Sequence, residues 1–196
     1  FNAHYHNNLG TAAMGKAMAQ WDRWADPAQG FERAETAFRK ALEVQPDFWQ
    51  SLANLGLFYW NRGLYDRAAA AYEEAARLGG KTRQDLGSLV ARMRRFAEID
   101  PWKGSLVNAQ AYIQSGRYGI ARFFLEQGVA RAEEAGLGLL EDDELRLAFN
   151  GVHYNLACVY AVGSTGRSGP DGPVLPLDEA DREARRARAV EHLRRA

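Results

Sequence analysis

The stretch WQSLANLGLFYWNRGLYDRAAAAYEEAARLGGKT, Trp49–Thr82, decides the fold. Leu52, Leu55 and Tyr59 recur three and four positions apart before Gly63, and Ala68, Tyr72 and Ala75 do so after it. That spacing puts each set on one face of a helix, with a tight turn at Gly63 between the two. Gly56 and Ala68 are small where the two helices must approach closely. Tyr59 and Tyr72 fill the space between them.

The same order returns three times. It appears at Ala109, Tyr112, Gly116, Tyr118, Ala121, Leu125 and Gly128. It appears at Leu9-Gly10, followed by Ala34, Phe38, Ala41 and Pro46, and at Leu156-Ala157 and Tyr160, followed by Ala189, Leu193 and Ala196. This pattern resembles the tetratricopeptide repeat, a helix–turn–helix unit of about 34 residues. The resemblance covers most of the chain. It implies an all-α fold: an α-solenoid of about four repeats (3–48, 49–82, 102–135 and 150–196) in a single domain, with an extra unpaired helix at 83–99. Two hairpins are longer than the pattern needs. Gly10 to Ala34 spans 24 residues where Gly56 to Ala68 spans 12, and Tyr160 to Ala189 spans 29 where Tyr59 to Ala68 spans 9. The insertions fall near Met18–Gly30 and around a glycine–proline loop.

Proline punctuates the chain. Pro27, Pro46, Pro101, Pro170, Pro173 and Pro176 all fall where a helix should start or stop. Nine helices are predicted, near 3–24, 28–44, 48–62, 65–78, 83–99, 102–115, 118–135, 141–162 and 178–196. Thr82 and Asp85 are placed for a capping box, and Gly79, Gly80 and Gly136 for left-handed stops. The loop near 163–176 is read as flexible, since Gly163–Leu175 holds four glycines and two prolines.

Composition narrows the function. With 25 Lys+Arg against 25 Asp+Glu over 196 residues, the chain lacks the positive excess of a nucleic-acid binder. Its longest apolar run, Leu156–Val162, is far too short for a membrane span. Arginine accounts for 21 of the 25 basic residues, which reads as high-GC codon usage and a bacterial source. A start at Phe1 and a stop inside a helical pattern suggest a piece of something longer.

No residue set makes a catalytic, metal or cofactor site. His4 and His6 point to different faces of a helix, and His153 and His192 read as surface or groove residues. Cys158, between Ala157 and Val159, reads as a small buried hydrophobe. Glu141–Glu144 read as the acidic start of a helix, and the runs at Arg92–Arg95 and Arg182–Arg188 as solvated faces.

Asparagine gives the functional lead. Asn8, Asn54 and Asn155 share one offset, and Asn108 lies at or beside it. The resemblance implies that this offset faces a concave groove. An asparagine there can bond a bound peptide backbone through both of its amide groups. Trp60 and Asn61 would make that groove aromatic and neutral. The lysines and arginines of chaperone-carboxylate clamps are missing, since Asn7, Ala53 and Leu57 stand in their places. Trp21 and Trp24, in the first insertion, are the candidate docking patch. The expectation is a non-catalytic scaffold that binds or bridges protein partners. The alternative is a helical docking region of a larger bacterial signalling or modifying enzyme.

Overall fold

The computed structural model describes residues 2–79, 83–98, 101–134, 143–166 and 177–196. Among them the chain is all-α, with nine helices and no strand: α1 (Ala3–Asp22), α2 (Ala28–Val44), α3 (Trp49–Asn61), α4 (Tyr65–Leu78), α5 (Arg83–Glu98), α6 (Pro101–Gln114), α7 (Tyr118–Glu134), α8 (Asp143–Ser164) and α9 (Glu179–Arg195). They group into two compact units. Unit 1 holds Phe1–Gln20 with Asp26–Asp100, and unit 2 holds Trp21–Ala25 with Pro101–Ala196.

In unit 1 successive helices pack on one another. A Cβ at Gly10 would lie 2.6 Å from the Phe38 ring, and one at Gly56 would lie 2.7 Å from the Tyr72 ring. The two glycines hold the same place in two hairpins, and each lets an aromatic ring close on bare backbone. Phe31, Phe38 and Phe58 are fully buried at the centre, each worth roughly 1.5–3 kcal/mol of burial. The Tyr59 hydroxyl donates to Glu35 and accepts from Arg39, tying α3 to α2. The helix α5 packs on α4 through Met93, which is fully buried, and through Phe96 against Tyr65.

In unit 2, α6 packs on α7, α7 on α8 and α8 on α9. The α3–α4 and α6–α7 turns are chemically the same. Leu64 N–H donates to the Tyr59 carbonyl and Gly63 N–H to that of Trp60, with Gly63 at φ 67°. Arg117 N–H donates to Tyr112 and Gly116 N–H to Ile113, with Gly116 at φ 71°. Both are paired closures of a helix end around a left-handed glycine.

The first part of the first insertion is helical, in keeping with the helix expected near 3–24. Met14–Gln20 are mostly good helix formers, and α1 runs through them to Asp22. The chain then turns at Trp24, whose φ is 63°. Trp21 packs edge-on against Phe123 at 4.2 Å, and Arg117 holds Asp22 through two bonds of 2.8 and 2.9 Å. A Cβ at Gly119 would lie 2.1 Å from the Trp21 carbonyl oxygen.

Gly79 closes α4 with φ −81°, so it is not the expected left-handed stop; its N–H continues the helical pattern to Ala75. The expected capping box at Thr82, the stops at Gly80 and Gly136, the side chains of Glu141–Glu144 and the loop at 167–176 lie outside the described residues.

Candidate functional site

Unit 2 carries a cleft of about 470 Å³ between α6 and α8. Val107, Gln110 and Gln114 stand on one wall, Gly151 and Asn155 on the other, and the buried Leu125 of α7 forms the floor. Gln110 and Gln114 are four apart on α6, as Gly151 and Asn155 are on α8, so each pair shares a helix face. Val107 is 55% exposed at the rim. Among the described residues no charged side chain lines the cleft. Three carboxamides around an apolar floor offer donors and acceptors together. That suits the unpaired N–H and C=O groups of an extended peptide and gives no preference for charge.

The expected asparagines part company here. Asn155 lies in the cleft. Asn108 is 6% exposed and buried on another face of α6, about 200° around the helix from Gln110. In unit 1, Asn8 is exposed, and its neighbour Asn7 accepts a 2.9 Å hydrogen bond from the Asn54 amide. The amide of Asn54 therefore serves α1–α3 packing. Asn61 is buried at 8% exposure and cannot line a groove. The Trp60 ring carries the Arg92 guanidinium at 4.4 Å, a cation–π contact that covers the expected apolar wall.

The expected exposed patch at Trp21 and Trp24 is also corrected. Trp21 is 4% exposed in the core of unit 2. Trp24 is half-buried, with guanidiniums of Arg122 at 4.6 Å and Arg185 at 4.3 Å over its ring, and Tyr160 at its edge. Bulk drives these rings inward, and the arginines cover what remains.

Two other readings change. His153 and His192 are buried together between α8 and α9, with their Nδ1 atoms 2.9 Å apart. Burial pushes both pKa values down, that of His153 to about 4, and Arg195 and the partner imidazole add to its shift. Cys158 is exposed, because it shares the outer face of α8 with Gly151, Tyr154 and Ala161. Its apolar neighbours in sequence belong to the opposite face.

Spacing on α6 alone held the missed signal. Val107, Gln110 and Gln114 form one stripe, one turn apart, that asparagine counting passed over.

Residues 28–81 match the tetratricopeptide repeat family model. That stretch is similar to tetratricopeptide repeats. The match takes in α2 and the complete α3–α4 hairpin. The α6–α7 hairpin lies outside the match, yet it closes through the same glycine turn. No curated protein sequence matches the chain.

Proposed function

We propose that the chain is a non-catalytic interaction module that binds or bridges partner proteins, and that it holds an extended, uncharged partner segment in the α6–α8 cleft. The similarity to tetratricopeptide repeats supports the general role, since such repeats commonly mediate protein–protein contacts. The observation that carries the specific reading is the cleft itself: Gln110, Gln114 and Asn155 around the apolar floor at Leu125. Each amide bonded to a buried backbone group contributes about 1–3 kcal/mol against loss of its partner.

The double variant Gln110→Ala, Asn155→Ala should therefore weaken partner binding at least about tenfold while its helical circular dichroism stays unchanged. Asn54→Ala should do the reverse. It removes the bond to Asn7, so it should lower the melting temperature and leave affinity intact. Calorimetric titration of the two variants separates these outcomes, and equal affinity loss in both would refute the assignment of the cleft.

A further inference from the structure

Unit 1 has a second cleft, about 700 Å³ in volume, between α1 and α2. The two helices are pinned together where Gly10 meets Phe38 and Gly30 meets Ala17. Beside that seam, Ala13 and Ala37 form a low apolar floor, and Leu9 stands at the rim, 49% exposed. The other flank of the same hairpin already holds a helix. There α3 bonds Asn7 of α1 through Asn54, and Ser51 bonds the Phe38 carbonyl of α2. Asn7 lies about 160° around α1 from Leu9, and Phe38 about 160° around α2 from Lys40. The cleft is therefore a second helix-sized valley on the opposite side.

Its charge is distinctive. Lys16, Arg33 and Lys40 line it with one acid, Glu32. Among the described residues none of these four has an ion-pair or hydrogen-bond partner. Other cations of unit 1 are engaged. Arg39, Arg77 and Arg94 pair with Glu35, Glu74 and Glu73, and Arg62, Arg67 and Arg92 lie over aromatic rings. A net excess of two unpaired positive charges thus flanks an apolar valley in a chain whose overall charge is zero.

We infer that the α1–α2 cleft seats an acidic amphipathic helix of a partner protein. The valley runs from Leu9 to Gln20 on α1 and from Gln29 to Lys40 on α2, each roughly 17 Å, or three helical turns. A helix laid there presents apolar residues at i, i+3 or i+4, and i+7 to Ala13 and Ala37. Acids flanking that stripe meet Lys16, Arg33 and Lys40. The charges steer the helix and fix its register, while the apolar stripe supplies the burial. Every residue involved lies in unit 1, so the inference stands or falls separately from the α6–α8 cleft.

The test uses the whole chain and a fluorescein-labelled helical peptide of about 18 residues (roughly 27 Å), with leucines along one face and glutamates beside them. A matched peptide carries lysine at each glutamate. The glutamate peptide should bind, raise the fluorescence anisotropy and weaken with added salt, and the lysine peptide should not bind. Lys16→Glu with Lys40→Glu should weaken binding about tenfold, and Ala12→Trp, at an exposed position lining the cleft, should block it. All three sites are on the surface, so circular dichroism should be unchanged. Three results would overturn the inference: equal binding of both peptides, absence of binding by the glutamate peptide, or binding lost on Gln110→Ala, Asn155→Ala but kept in the cleft variants.

Discussion

At Gly119 a single hydrogen atom decides whether unit 2 closes. The Trp21 carbonyl oxygen would stand 2.1 Å from any Cβ added there, and the clash is with backbone, which no rotamer relieves. Gly119→Ala should destabilise the fold by at least about 1–3 kcal/mol. Gly87→Ala is the control. Among the described residues nothing lies within 4 Å of its added Cβ, and a helical glycine replaced by alanine should gain about 0.5–1 kcal/mol. Urea denaturation midpoints of the two variants should move in opposite directions. The His153–His192 pair gives a pH prediction. Both imidazoles are held neutral in the fold, with Arg195, Arg188, Glu126, Glu133, Glu191 and Tyr160 around them. The unfolded chain takes up these protons near pH 6.5 and the folded His153 only near 4. The stability this pair contributes is complete above pH 6.5 and is lost as the pH falls towards 4. Melting temperatures between pH 7.5 and 4.5 should drop less steeply in His153→Asn than in the parent chain.

The hairpin turns show what a sequence makes legible. Gly63 and Gly116 end their helices through local hydrogen bonds and a positive φ that glycine alone adopts cheaply, so their chemistry is written within six residues. Gly63→Ala and Gly116→Ala should each cost about 1 kcal/mol, and their costs should add, since the two turns lie in different units. Additive denaturant midpoints would bear this out. Most helix starts and stops, and the aromatic closures at Gly10 and Gly56, were readable for the same reason. The α6–α8 cleft was half readable. Repeat offset points to Asn155, which lines the cleft, whereas Gln110 and Gln114 need the helix phase of α6, which puts Asn108 inside. The Trp21–Trp24 burial was not readable, because Phe123, Arg122 and Arg185 are about a hundred residues or more away in sequence. Cys158 was misread by its sequence neighbours, although a period of 3.6 residues sets it with Tyr154 and Ala161.

For the molecule as a whole, zero net charge conceals two unlike surfaces. Among the described residues the α6–α8 cleft of unit 2 is lined by amides and apolar groups without charge, and the α1–α2 cleft of unit 1 is apolar and cationic. Binding at the first should change little between about 0.05 and 0.5 M salt, whereas binding at the second should fall steeply, because exposed charges are screened over that range. The central claim is that the neutral cleft holds a partner segment. A photo-reactive benzophenone side chain placed at Val107, on the rim, tests it most directly, with the same group at Val190, exposed on α9, as reference. In extract of the native source, Val107 should cross-link one partner through a single extended, uncharged segment. That product should disappear on Gln110→Ala, Asn155→Ala, and Val190 should not yield it. Equal cross-linking from both positions, or a Val107 product that survives the amide substitutions, would contradict the account.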